Sequence, residues 1–90
     1  MTEKTITLEA PNGMHARPAG ELVKLAKSLS PVKLTLCSGG KCANAASMLS
    51  LLALGLKSGS AVTVRAEAAS AGEESAAVES ICRFIADIKD

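Results

Sequence analysis

From Val32 to Asn44 the chain reads as two short runs parted by Gly39-Gly40. Val32, Leu34 and Leu36 alternate with Lys33, Thr35 and Cys37, the period of a half-buried strand. A Gly-Gly pair readily takes the positive φ angles of a two-residue hairpin turn, so a strand near Lys41–Asn44 returns antiparallel beside the first. An antiparallel sheet is therefore the frame into which the remaining segments must fit.

Thr5-Ile6-Thr7-Leu8-Glu9 alternates in the same way and predicts an earlier strand that ends at Pro11-Asn12-Gly13. A helix is expected from about Ala16 to Ser28, with Ala19, Leu22, Val23, Ala26 and Leu29 as one apolar stripe. Pro18 suits its first turn, and Ser30-Pro31 closes it. Ser47 is placed to cap a brief helix, Met48 to Ala53, that stops at Gly55. Ala61–Glu67 alternates as a fourth strand. Ser70-Ala71-Gly72-Glu73 has the form of a capping box. It opens a last helix that buries Ala77, Val78, Ile81, Cys82, Ile85 and Ile88. The order β-α-β-β-α-β-α is most economically packed as one sheet with helices on one face, an α+β two-layer sandwich.

Ninety residues suit a single domain spanning 1–90. Ten basic against nine acidic residues argue against nucleic-acid binding through bulk charge. With Phe84 as the one aromatic residue, base-stacking platforms are also excluded. No apolar run approaches the roughly 18 residues of a membrane span, and the first residues lack the apolar core of a signal peptide. A cytoplasmic protein without membrane insertion is expected. Three cysteines without metal-ligand spacing predict no metal site and, in that compartment, reduced thiols.

The chain lacks a Walker loop, a dinucleotide fingerprint, a C-x-x-C and an H-E-x-x-H. Its single histidine, His15, stands where the first strand gives way to the first helix. There the N–H groups of Ala16 and Arg17 precede any helical acceptor, and the helix dipole adds partial positive charge. A phosphate or carboxylate beside His15 would meet backbone donors and the Arg17 guanidinium together. The dipole also favours a neutral ring with one nitrogen free to attack. Lys24 and Lys27 extend the positive rim along the helix, suited to an acidic partner. These features describe an anion-handling histidine and stop short of naming a reaction; a capping or solvent-exposed histidine has the same local sequence.

The segment Ala10-Pro11-Asn12-Gly13-Met14-His15-Ala16-Arg17-Pro18-Ala19 resembles the phosphorylation site of the HPr family, the histidine-containing phosphocarriers of the bacterial sugar phosphotransferase system. The resemblance runs over essentially the whole chain. It takes in the Gly39-Gly40-Lys41 hairpin, Ala45-Ala46-Ser47-Met48-Leu49 and Leu54-Gly55-Leu56. It implies an open-faced β-sandwich, four antiparallel strands with three helices on one face. It also implies a carrier that takes a phosphoryl group from Enzyme I and gives it to sugar-specific IIA domains. By matching position, His15 would be phosphorylated on the ring nitrogen nearer the backbone, with Arg17 as its anion partner and no cofactor. Ser47 falls on the family's regulatory serine, the target of a serine kinase in some bacteria; a simple N-cap is the plainer role.

Gly20, Lys24, Lys27, Met48, Leu49, Leu52 and Leu56 are candidates for partner docking by a monomer. The second helix is too short to bury all its apolar residues. Leu51 and Leu54 are expected inward, and Met48, Leu49 and Leu52 at least partly outward. Ala46, Ser50 and Glu21 make this face less positive than is common in the family. Cys37 and Cys42 would oppose each other across the hairpin, about 5 Å apart at Cβ, crosslinkable in vitro but reduced in the cell. Two other readings of the chain stand beside the carrier. One is a regulatory module of this fold that senses metabolic state through Ser47. The other is a ferredoxin-like ligand-binding domain, which would bury the second helix's apolar residues entirely.

Overall fold

The structure is a computed structural model and describes residues 1–88. Its elements run β1 (Thr2–Thr7), α1 (Ala16–Ser28), β2 (Lys33–Ser38), β3 (Lys41–Asn44), α2 (Met48–Leu54), β4 (Ala61–Glu67) and α3 (Ala71–Ala86). The four strands form one antiparallel sheet in the order β1-β4-β2-β3. Gly39 and Gly40 take φ angles of 59° and 81°, the conformation the hairpin requires.

Alternation decides the two faces. Leu34 and Leu36 of β2, Ala43 of β3, and Val62, Val64 and Ala66 of β4 point to one side and are buried. They meet Ala19, Leu22 and Ala26 of α1, Leu51 of α2, and Ala77, Val78, Ile81 and Ile85 of α3. Each fully buried Leu, Ile or Val stabilises the fold by roughly 1.5–3 kcal/mol. Thr35, Cys37, Thr63 and Arg65 alternate with these residues and are only half-buried, so the other face of the sheet lies open. This is the open-faced sandwich expected from the resemblance.

Three expectations need correction. β1 covers Thr2–Thr7, not Thr5–Glu9. The sequence Thr2-Glu3-Lys4 looks too polar for a strand, but β1 is an edge strand whose inward Lys4 comes within 3.9 Å of Glu79 at the margin of α3. Leu8 lies beyond the strand yet is wholly buried, and its backbone is held by the Ser60 carbonyl and the Gly59 N–H. In α1, Val23 and Leu29 are partly buried at the edge of the core, so the central stripe is Ala19, Leu22 and Ala26. Cys37 and Cys42 are not separate thiols: directly opposed in the hairpin register, they are joined at 2.05 Å.

Candidate functional site

The loop before α1 is fastened from behind. Gly13 has φ 65°, and its N–H donates to the Ala10 carbonyl at 3.0 Å. The next N–H, that of Met14, donates to the Leu56 carbonyl at 3.0 Å, while the Met14 side chain is buried. A Cβ on Gly13 would lie 2.5 Å from that same Leu56 oxygen. Glycine is thus required here both by the left-handed backbone and by the approach of a second chain segment. With Met14 anchored, the next residue emerges at the start of α1.

That residue is His15, the N-cap of α1, with extended backbone (φ −91°, ψ −176°). Its carbonyl accepts the first helical bond from Ala19 at 3.0 Å, but its side chain caps nothing. Pro18 occupies the third helical position, where a capping side chain finds its usual N–H. The first turn contains no acidic residue, and Arg17 lies in it, exposed. The positive end of the helix therefore has no carboxylate of its own turn to neutralise it. The imidazole is half-buried. Its Nε2 is out of reach of solvent and has no hydrogen-bond partner.

α2 lies alongside. Its N-cap is Ser47, whose Oγ accepts the Ser50 N–H at 3.3 Å. Met48 is next to α1: a Cβ on Gly20 would sit 3.9 Å from the Met48 Sδ and Cε atoms. That is ordinary contact, so the packing of α1 on α2 would admit alanine at this position. Lys24 and Lys27 follow Gly20 at helical spacing and are exposed. Leu49 is 83% exposed, and Met48 and Leu52 are each 38% exposed. His15, the lysine stripe and this apolar group thus belong to adjoining helices.

Leu56 does not join the surface. Gly55 ends α2 in the left-handed conformation (φ 68°) and turns the chain inward, so the Leu56 side chain enters the core. Its contribution is the carbonyl that holds Met14. Leu51 is buried and Leu54 partly so, while Met48, Leu49 and Leu52 face outward. The exposure of these three disagrees with a ferredoxin-like arrangement that buries the whole apolar set. Gly13 and Met14 were absent from the candidate residues, and Leu56 was a candidate for docking rather than for holding Met14. The Asn12-Gly13 pair signals a turn, but nothing local reveals that its partner lies more than forty residues away.

A hollow of about 760 Å³ opens elsewhere, between the end of α1 and β3; Lys27, Pro31, Thr35 and Asn44 are among its lining, and His15 and Arg17 are not. Among the described residues no group of three or more His, Cys, Asp or Glu side chains could hold a metal ion. No helix among them is long and apolar enough to cross a membrane. What the site can do follows from its parts. An imidazole stands at an uncapped helix start, with a guanidinium in the same turn and an apolar surface on the adjoining helix.

Comparison with known proteins agrees. The family model described as the PTS HPr component phosphorylation site matches residues 2–87. A phosphocarrier protein HPr of Buchnera aphidicola (subsp. Baizongia pistaciae) is 38% identical over 89 residues, covering 99% of this chain and all of the relative. Its counterpart in Vibrio cholerae is 44% identical over 73 residues, 81% of this chain and 85% of the relative. A solved structure of HPr-C-His from Thermoanaerobacter tengcongensis superposes with a TM-score of 0.86 at 30% identity, covering 96% of this chain and 92% of that one. With a matching family model, relatives of the same length and a superposable fold, the chain belongs to the HPr phosphocarrier family of the phosphotransferase system.

Proposed function

We propose that this protein accepts a phosphoryl group on Nδ1 of His15 from phospho-Enzyme I and passes it to sugar-specific IIA domains. The observation that carries this reading is the uncapped helix start with one imidazole nitrogen turned inward. With the proton on Nε2, the Nδ1 lone pair attacks phosphorus; the new N–P bond forms as the bond to the donor breaks. The product carries its negative charge at a helix start where donors and Arg17 favour it. Phosphoryl transfer asks mainly for alignment and charge stabilisation, which a rigid helix terminus supplies. The protein is a transfer substrate and carrier, acting as a cytoplasmic monomer. Met48, Leu49 and Leu52 meet the apolar part of each partner, while Lys24 and Lys27 meet its acidic part.

Ser47 is a second, regulatory site in this reading, modified by a serine kinase. It opens α2 directly before Met48, so a phosphate there brings nearly two negative charges to the docking surface while the helix N-terminus tolerates them. Acidic partners are then repelled.

The test is incubation with a cognate Enzyme I, magnesium and phosphoenolpyruvate, followed by mass spectrometry. One acid-labile phosphate on the native chain and none on His15→Ala is the expected result. An unmodified native chain, with Enzyme I itself phosphorylated, overturns the reading.

A further inference from the structure

The open face of the sheet carries a feature that phosphoryl transfer does not use. One register row crosses all four strands there: Thr5 of β1, Thr63 of β4, Cys37 of β2 and Cys42 of β3. Within it the Thr5 and Thr63 hydroxyls are 2.8 Å apart, and the Cys37 and Cys42 sulfurs are bonded. Ser38 and Lys41 flank the glycine turn and form its hydrogen-bonded pair, so Cys37 and Cys42 occupy the next, non-hydrogen-bonded pair. Side chains approach most closely at such a pair. The hairpin therefore holds the two sulfurs together whether or not they are bonded. The remaining cysteine, Cys82, is buried on the inward side of α3 and cannot compete for either.

The two sulfurs are not equally accessible. β3 is the edge of the sheet, and Cys42 is exposed; Cys37 is half-buried between β3 and β4. Thiol–disulfide exchange needs the incoming sulfur in line with the bond it breaks. For attack on Cys42 that line comes from beyond the edge strand, where the sheet has no further strand. For attack on Cys37 it crosses the neighbouring strand at Thr63. Cys42 also lines hollows on both flanks of β3, one shared with Thr35 and Asn44, the other with Lys41, Ser50 and Leu54.

We propose that Cys37 and Cys42 form a thiol–disulfide exchange site for low-molecular-weight thiols, with Cys42 as the sulfur that is attacked and Cys37 as the leaving thiolate. The thiolate of a small thiol attacks Cys42 Sγ, the Cys37–Cys42 bond breaks, and Cys37 leaves as a thiolate that takes a proton from solvent. A second small-thiol thiolate attacks the small-thiol sulfur of the mixed disulfide, releasing Cys42 as a thiolate and the oxidised small-molecule disulfide. Two small thiols are oxidised and one protein disulfide is reduced; the reverse steps close the pair again.

Glutathione is the probe. The full chain is equilibrated at a series of ratios of reduced to oxidised glutathione, quenched in acid, alkylated under denaturing conditions and weighed. Cys37 and Cys42 are expected to pass together between no label and two labels within one chain. Cys37→Ser and Cys42→Ser are then treated with oxidised glutathione under native conditions. The adduct should form on Cys42 at least about fivefold faster than on Cys37, since accessible thiols react first. Cys37→Ala and Cys42→Ala repeat the comparison without an added hydroxyl, and circular dichroism checks that each variant is folded. Equal rates overturn the order of attack. Full double labelling at every ratio, or oxidation that yields only crosslinked dimers, overturns the site itself.

Discussion

The starts of α1 and α3 have the same backbone requirement and meet it differently. At α3 the Ser70 hydroxyl accepts the Glu73 N–H at 3.2 Å, and Glu73 and Glu74 place negative charge against the helix dipole. Glu74 is buried as well: its Oε1 accepts from the Thr2 hydroxyl and pairs with the Met1 amino group, each at 3.0 Å, and its Oε2 accepts the Ala68 N–H at 2.9 Å. At α1 the N-cap is His15 without a side-chain cap, the third position is a proline, and the first turn has Arg17 and no acid. One helix start is completed by its own side chains. The other has an N-cap whose side chain caps nothing, and its position is secured from behind by Gly13, Met14 and Leu56.

The strongest way to break this contrast is a pair of glycine substitutions. Gly13→Ala forces a side chain into left-handed backbone and drives its Cβ toward the Leu56 carbonyl. It is expected to cost at least about 2 kcal/mol, from the backbone strain and the clash together. Thermal unfolding should report a fall of roughly 10 °C or more. Gly72 lies in the first turn of α3, and an added Cβ there meets nothing within 4 Å. Gly72→Ala should therefore stabilise by about 0.5 kcal/mol. Should Gly13→Ala melt with the native chain, the clasp behind His15 is not what holds the site.

A smaller effect separates the caps. Ser70→Ala removes the acceptor for the Glu73 N–H and should cost about 1 kcal/mol, roughly 4–8 °C in melting temperature. Placing a capping residue at the other helix should not return a similar amount. His15→Ser supplies a hydroxyl, but Pro18 has no N–H to give it, so the change in stability should stay within about 0.5 kcal/mol. A gain for His15→Ser as large as the Ser70→Ala loss would mean that proline does not keep this helix start open.

The same contrast explains what could be read from the sequence. Local chemistry was legible: Gly39-Gly40 as a hairpin, Ala61–Glu67 as a strand, and Ser47 and Ser70 as caps all depend on residues within a few positions of one another. His15 could be placed at a helix start for that reason. The clasp could not, because it joins Gly13 and Met14 to Leu56. Leu56 looked like surface because it was grouped with Met48, Leu49 and Leu52 on a helix too short to bury them all, yet it lies beyond α2, and the reversal at Gly55 sends it inward. Polar Thr2–Lys4 concealed a strand whose pairing is supplied by β4. The inward turn of Nε2 depends on packing around His15 and has no counterpart in residue spacing.

The finest distinction between the two helix starts is a slope against pH. The Ala68 N–H, first of all, and then the Met1 amino group hold the Glu74 carboxyl below its ordinary value of 4.5; burial opposes them without prevailing. A carboxyl with a depressed folded pKa contributes stability that is fully present above its unfolded value and is lost as pH falls through the folded one. Glu74→Gln keeps the shape but cannot carry the charge. Its stability deficit relative to the native chain should be greatest near neutrality and shrink on acidification below about pH 4.5. Urea unfolding of both proteins between about pH 6 and pH 3 measures that convergence. A deficit that stays constant across the range would show that the oxygens of Glu74 matter only as hydrogen-bond acceptors. The α3 start would then be closed by geometry alone, and charge would no longer distinguish it from the start that holds His15.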